Sequence, residues 1–564
     1  MVDPTDRAEI VALLNEFADR LEAKDVDYKP RSYRRAAESL YESPSAMLRN
    51  PREIDDVGDA IAGKIEEYLE KRGIEELEEL REEMPVNIQE VTEVEGVGPK
   101  TAGILYRNLD VRNLDDLEKA AEKNRIRNVK GFGPRTEEKI LEGIGFAREK
   151  KQSTRLSKAM EVAGNAVEKL EKIPDVEEVG VSGEVRRRRE AVETIDLVVS
   201  TENPESIVDY LSDFGMVRGQ EKIDQDTKDN GEGDTYRFGL TGADADLVVQ
   251  VTGENFVLER WRTTGDAKHV REVESMGTNA GFLDPSSVKL EKDVYSGLGM
   301  EYVEPELREG RGEVVAAEEG RLPDLVRLED IRGDLHTHTT MSDGGLSMEE
   351  MVSAAERRGY GYIALTDHTY GLSVVDGLDD QDLQDYMTRI ERINEDTEIR
   401  VFSGAEVNVT DHGIDIREET ARELDLVVAS IHWGFEMNED EATERLISAV
   451  STDGVDILGH PSGRLINSRE GYSYDFERVL EVTSEQGVAL ELNANPRRLD
   501  VPDSQVRRAV EEDVPVSVNT DAHSLEALEY MRYGVWTARR GWAEQGDILN
   551  AKSSRELEDW LSSG

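Results

Sequence analysis

The chain of 564 residues contains no cysteine, which excludes disulfide frameworks and thiolate metal sites. Lysine is scarce too: 20 lysines stand against 49 arginines, and none lies between Lys292 and Lys552. Positive charge of either kind is outweighed, with 69 Lys and Arg against 123 Asp and Glu and a formal net charge of −54. No apolar run approaches the roughly 18 residues that would span a bilayer, and no secretory leader pattern opens the chain. A soluble, cytoplasmic protein with no membrane partner is therefore expected. Chains this acidic are often disordered, yet apolar strands such as VVASIHW and amphipathic helices recur throughout. A folded chain of roughly three to five domains follows from the length. Acid surface with depleted lysine fits folding in molar salt, where the Debye length is about 3 Å; an ordinary acidic cytosolic protein is the alternative. Acidity argues against a nucleic-acid partner under common conditions. In high salt that argument weakens, because counterion release contributes little while hydrogen bonds from backbone amides and helix N-termini persist.

Such amides are what the front of the chain offers. Residues 1–85 read as helical, with apolar positions at helical spacing in EIVALLNEFADRLEA and two further segments, YRRAAESLY and GDAIAGKIEEYLEKRG. Residues 86–150 hold VEGVGPKTAGILY (94–106) and VKGFGPRTEEKILEG (129–143), both of the form G-x-G-P-[KR]-T followed by a helix. This is the helix–hairpin–helix signature: Gly96, Gly98, Gly131 and Gly133 permit a tight turn, and amides beside Lys100 and Arg135 face a phosphate. VGDAIAGKI (57–65) is a weaker third copy. One copy alone could simply join two helices; the repetition points to DNA.

Residues 151–260 alternate helix and strand, and 261–328 give no clear pattern. From 329 to 564 short apolar strands alternate with helices, the sign of a parallel (β/α) barrel with chemistry at its strand ends. Those ends carry His336 and His338, Asp343, His368, Glu406, His432, His460, Asp521 and His523. Of eight histidines in the chain, six fall in this set. A satisfied core histidine explains any one of them but not six together; His269 and His412 keep that ordinary reading. Arg464 and Arg498 follow strand ends as candidate phosphate ligands, or as surface ion-pair arginines.

The last third resembles the PHP phosphoesterase domains. The resemblance implies up to three metal ions: one on His336, His338, Glu406 and Asp521, a second on Glu406, His432 and His460, a third on Asp343, His368 and His523. Imidazole and carboxylate without thiolate suit manganese, zinc or iron. The order of helical front, hairpins, strands, PELREGRGEV and barrel resembles the family X DNA polymerases of bacteria and archaea that carry a C-terminal PHP domain. It implies a multidomain α/β architecture: a lyase-like helical domain (1–85), tandem hairpins (86–150), a nucleotidyltransferase-like palm (151–260), a thumb-like region (261–328) and a distorted (β/α)7 PHP barrel (329–564).

In that family the palm carries G-S-x-R-R, then D-x-D and a third aspartate, holding metal and triphosphate. Here GEVRRRREAVETID supplies Gly183, Arg186, Arg187 and Asp196, with Asp246 as the third acid and Asp244 near it. Glu184 replaces the serine and Thr194 the first aspartate, while Arg262 and Thr263 in RTTGD stand where the family has aromatics. Magnesium is the ion the palm could hold, and dNTP is a doubtful ligand there. Lys64 matches the family's Schiff-base lysine, which would need desolvation to lower its pKa; a solvated helix lysine is the alternative. The expectation is a DNA-repair enzyme that hydrolyses phosphoesters at 3′ ends in the barrel, as exonuclease or phosphatase, with polymerisation weak or lost. The alternatives are an active gap-filling polymerase with a proofreading barrel, a non-catalytic DNA-end scaffold, and a phosphatase of small substrates.

Overall fold

The computed structural model describes residues 4–26, 29–42, 48, 50–54, 57–71, 73–92, 94, 97–149, 153–212, 217–223, 234–240, 243–253, 255–280, 288–371, 377–410, 413–435 and 437–562. Gly96 and His412 lie outside them. The chain divides into two compact units, one of residues 1–152 with 209–220 and 239–244, the other of the remainder.

The first unit is helical through residue 149. One core gathers Ile10, Leu14, Phe17, Leu40, Ile65 and Leu77, and a second gathers Val91, Val97, Leu105, Leu117 and Ile140. Each hairpin turn is built alike. Val57, Val97 and Phe132 donate their N–H to the carbonyl three residues back, at 3.2, 2.9 and 3.0 Å. The following glycine carbonyl, of Gly58, Gly98 or Gly133, then accepts the first bonds of the next helix. The weak third motif at 57–65 thus has the backbone of the two full copies.

In the second unit, strand β1 (Val176–Val181) lies antiparallel to β2 (Thr194–Thr201), which pairs parallel with β4 (Asp246–Thr252); residues Asp234–Phe238 of β3 (Asp234–Leu240) are antiparallel to β4. The helices Leu156–Leu170 and Phe256–Thr264 pack on this sheet. The stretch 261–328, patternless in sequence, is mostly short helices around a core of Trp261, Val270, Tyr295 and Leu307. His269 is buried there between Glu313 (2.7 Å) and the Tyr295 hydroxyl (2.9 Å), a satisfied core histidine.

The barrel has seven parallel strands in chain order: β5 (Gly333–Asp334), β6 (Tyr362–Leu365), β7 (Arg400–Thr410), β8 (Leu426–Ser430), β9 (Ile457–Leu458), β10 (Ala489–Asn493) and β11 (Val516–Asn519). Every residue of β6 and β8 is buried, which is why they read as unbroken apolar runs rather than alternating ones. The first and last strands meet at a parallel bridge between Thr337 and Ala522. Lower down, the Asn550 side chain fills the gap: it accepts from Val518 N–H (3.0 Å) and donates to Gly333 C=O (3.1 Å). One amide there replaces the ladder of a missing strand.

Candidate functional site

The nine barrel residues come together. His336 and His338 leave β5 two residues apart, so both rings face one side, with centroids 5.1 Å apart. His368, His432, His460, Asp521 and His523 follow β6, β8, β9 and β11. Glu406 departs from expectation: it sits inside β7, not at its end. That strand runs four residues further because Val409 and Thr410 pair antiparallel with Ile414 and Gly413.

Glu406 is 1% exposed and forms the hub. Its Oε2 lies 2.9 Å from His368 Nδ1, 3.4 Å from His336 Nε2 and 3.5 Å from His338 Nε2; its Oε1 lies 3.1 Å from His432 Nε2 and 3.0 Å from His460 Nε2. Asp521 Oδ1 is 3.2 Å from His338 Nε2 and 3.8 Å from His336 Nε2. Asp343 stands 3.3 Å from His523 Nε2 and 3.7 Å from His368 Nε2. His338 also turns Nδ1 to Asp343, at 3.8 Å, so His338 and His368 stand between the ligand sets the resemblance implies.

The donors fit divalent cations. His336 Nε2 and both nitrogens of His338 are buried with no hydrogen-bond partner, and an unsatisfied buried polar atom costs about 1–3 kcal/mol. A cation among them would remove that cost. Three groupings are tight enough to share an ion: His338, Asp343, His368 and His523; His336, His338 and Glu406; His368, Glu406 and His432. Among the described residues all such groupings belong to the barrel.

The electrostatics agree. Burial opposes charge on His336, but Glu491, Glu406 and Asp521 outweigh it and hold its pKa well above the usual value. Burial would raise Glu406, yet His432, His368 and His336 keep it well below. Asp343 is held at about 2, against its burial, chiefly by His523; His523 rises to about 9 on Asp343 and Asp521 despite its own burial. His338 falls to about 4 through burial and the neighbouring His523 and His368. The ionised carboxylates therefore gather protons where metal would displace them.

A supporting shell escaped the sequence reading. Glu491 holds His336 Nδ1 (2.7 Å) and the His460 N–H (2.7 Å), and accepts from Asn519 Nδ2 (3.0 Å). Asn408 Oδ1 holds His432 Nδ1 at 2.7 Å, and Asn493 donates to Asp521 at 3.1 Å. Such partners fix ring orientation at metal sites. The available signal was a glutamate inside ALELN, a strand otherwise apolar to its last residue. Arg498 stays beside the cluster, its Nε 3.7 Å from Asp521. Arg464 does not: its guanidinium grips Glu190 (2.6 and 3.1 Å) and the backbone carbonyls of Arg498 and Leu499.

The palm arginines are likewise committed. Arg186 pairs with Glu291 (2.5 Å) and Thr264 Oγ1 (2.9 Å). Arg187, 7% exposed, pairs with Glu309 (2.8 Å) and the Thr264 carbonyl (2.7 Å). Arg540 donates to the Arg187 carbonyl (2.6 Å), to Glu309 (2.9 Å) and to Asp503 (2.8 Å), and Arg188 stacks 4.2 Å from the Trp536 ring. The arginine run thus clamps residues 186–188 to the helix that carries Trp536 and Arg540. Burial would raise Glu309, but Arg540 and Arg187 hold it at about 2. Because the folded pKa lies below the ordinary 4.5, this contribution, on the order of 3 kcal/mol, is complete above pH 4.5 and lost as pH falls toward 2. Thermal melts of wild type should therefore drop more steeply than those of Glu309→Gln across that window.

Elsewhere in the palm, Gly183 has φ +58°, and a Cβ there would lie 2.1 Å from Asp196 Oδ2, so glycine is required. Thr194 donates to Asp196 at 2.8 Å, and burial raises Asp196 to about 6. Asp246 pairs in register with Thr194, not Asp196, and is half-exposed. Glu184 accepts from Glu193 N–H at 2.6 Å and pairs with Arg189 at 3.1 Å. Thr263 and Arg262 end the helix Phe256–Thr264, with Arg262 held by Glu259 (2.7 Å) and Glu274 (2.9 Å).

In the first unit Gly58, Gly98 and Gly133 have no atom within 4 Å of a notional Cβ and no positive φ; the fold itself does not demand glycine there, whereas Gly131 has φ +99°. Open space before three glycines at helix N-termini is where a phosphate can approach. Arg135 is exposed, and Lys100, 59% exposed, pairs with Asp25 at 2.5 Å. Lys64 is bound to Glu76 and lies 5.0 Å from the Phe17 ring centroid. Burial would lower its pKa, but Glu76 and Tyr33 outweigh this and raise it.

Comparison with known proteins agrees. Residues 334–495 match the PHP domain, 88–145 the SAM-like helix-hairpin-helix tandem and 5–74 the helix-hairpin-helix domain. The chain is 32% identical over 459 residues to the DNA polymerase/3′-5′ exonuclease PolX of Bacillus subtilis, covering 78% of this chain and 79% of that protein. The barrel region is 34% identical over 203 residues to a probable phosphatase of Caldanaerobacter subterraneus, covering 34% of this chain and 75% of that protein. A probable phosphatase of Aliivibrio fischeri is 25% identical over 243 residues, 41% of this chain and 94% of that one. No helix among the described residues is long and apolar enough to cross a membrane. With hairpin motifs in front, a PHP barrel behind and a relative aligned along most of both chains, the protein belongs to the PolX family of family X DNA polymerases with a C-terminal PHP domain.

Proposed function

We propose that this chain is a DNA-repair enzyme that hydrolyses phosphoesters at 3′ ends in its barrel, and that its palm does not polymerise. The observation that carries the reading is the contrast between two sites. Around Glu406 the buried His336 Nε2 and both nitrogens of His338 lack hydrogen-bond partners, whereas in the palm Arg186 and Arg187 are already paired and Thr194 replaces a carboxylate. Divalent ions, manganese or zinc and up to three, would be held by His336, His338, Asp343, His368, Glu406, His432, His460, Asp521 and His523. When bound, such ions polarise the phosphoryl group and activate water at neutral pH. Arg498 would steady the phosphate beside Asp521. Gapped or nicked DNA would be gripped at the glycine turns near residues 58, 98 and 133, with dNTP having no role. Arg464, Arg186 and Arg187 serve the interior of the second unit, and the acidic, lysine-poor surface supports work in molar salt. The polymerase reading is favoured by one observation, the two surviving acids Asp196 and Asp246.

The test is shortening of a 5′-labelled primer on gapped DNA in molar KCl with Mn²⁺. His336→Ala and Asp521→Ala should each remove both bound metal and shortening; shortening that survives them overturns the barrel assignment. For Lys64 the reading is equally definite. An amine kept protonated by Glu76 is a poor nucleophile, so borohydride trapping on abasic DNA should be weak in wild type and stronger in Glu76→Gln.

A further inference from the structure

Between residues 329 and 564 the large apolar side chains that stand exposed, among the described residues, are Tyr370 (53%), Trp433 (38%) and Leu525 (41%). Each lies within two residues of a member of the cluster: Tyr370 two past His368, Trp433 next to His432, Leu525 two past His523. On a surface otherwise dominated by carboxylates, two exposed aromatic rings each within two residues of a cluster histidine are candidates for contact with a ligand. His368 and His432 are neighbours, their ring centroids 5.1 Å apart, so the backbone carries Tyr370 and Trp433 past the same part of the cluster; the Arg445 guanidinium lies 5.4 Å from the Trp433 ring centroid. Both are anchored through the backbone. The Trp433 carbonyl accepts from the largely buried Arg445 at 2.9 Å, and Tyr370 N–H donates to Leu378 at 3.1 Å.

We propose that Tyr370 and Trp433 form a stacking platform for unpaired bases at a DNA 3′ end, delivering the terminal phosphoester to the cluster. The proposal rests on the reading of the barrel as a site for DNA ends. A base stacked on an aromatic ring gains affinity without regard to sequence. Unlike phosphate pairing, that gain does not depend on releasing counterions and so survives high salt.

The test uses the full chain in molar KCl with chelator present, so that no hydrolysis intervenes. A short single-stranded oligonucleotide carries 2-aminopurine at its 3′ end, and a second one ends in abasic residues. Wild type should quench 2-aminopurine and prefer the base-bearing end. The Tyr370→Ala/Trp433→Ala protein should lose the quenching and bind that end about 5- to 150-fold more weakly, equal to about 1–3 kcal/mol. Its preference over the abasic end should collapse to one, while Tyr370→Phe and Trp433→Phe keep most of it. Unquenched 2-aminopurine in wild type, or unchanged preference in the double variant, overturns the proposal and leaves the rim to an apolar partner surface. If Mn²⁺ is then added and no shortening follows although ring-dependent quenching holds, the hydrolytic reading fails and the platform stands.

Discussion

Replacing Glu406 with glutamine should abolish phosphoester hydrolysis, lowering the rate on the order of a thousandfold or more. Five histidine rings of the barrel cluster lie within 3.5 Å of the two Glu406 oxygens. Glutamine keeps the size but removes the charge that makes the site attract cations, and its amide presents donors to rings that must themselves act as ligands. Elemental analysis of the purified variant should find less bound metal than in wild type. His460→Ala, which removes one ring at the edge of the set, should cost less in both measurements. A Glu406→Gln protein with full metal content and near-normal hydrolysis would contradict the hub role.

The second large effect concerns stability. Arg540 is 5% exposed and binds Glu309, Asp503 and the Arg187 carbonyl. In Arg540→Ala the Glu309 carboxylate keeps only Arg187, and Asp503 only the half-exposed Arg311 at 2.9 Å. Removing one partner from a buried ionic network while its counter-charges remain costs about 3–5 kcal/mol. The denaturation midpoint should fall accordingly. Arg540→Lys should recover little, because a single ammonium cannot reach three acceptors that a planar guanidinium forks between. Molar salt should soften the loss only slightly, since buried pairs are poorly screened.

The two sites differ in how much of them the sequence disclosed. The barrel cluster was legible because histidine is so rare in this chain that six of eight at strand ends stand out against the composition. Strand periodicity then fixed which residues share a face. The mid-strand place of Glu406 was hidden, since the extension of β7 depends on pairing with Gly413 and Ile414 across a turn. Glu491 and Asn408 were hidden for a related reason: a single polar residue in an apolar strand shows burial, but not which ring it will hold. In the palm, GEVRRRREAVETID displayed its missing carboxylate at once. It could not show that Arg186 and Arg187 are paired with Glu291 and Glu309, more than a hundred residues away in sequence. Long-range ion pairs leave no local pattern, and an arginine kept for clamping reads the same as one kept for triphosphate. At 57–65 the opposite happened: the motif letters faded while the backbone turn stayed.

On the proposed reading the barrel cuts and the palm is silent. That reading is tested most directly by one gel: a 5′-labelled primer on gapped DNA, incubated in molar KCl with Mn²⁺ and all four dNTPs, with wild type and with His336→Ala/Asp521→Ala. Wild type should give shortened primer and the variant unchanged primer, with no product longer than the primer in either lane. A longer product, above all with the variant whose barrel has been disabled, would contradict that reading.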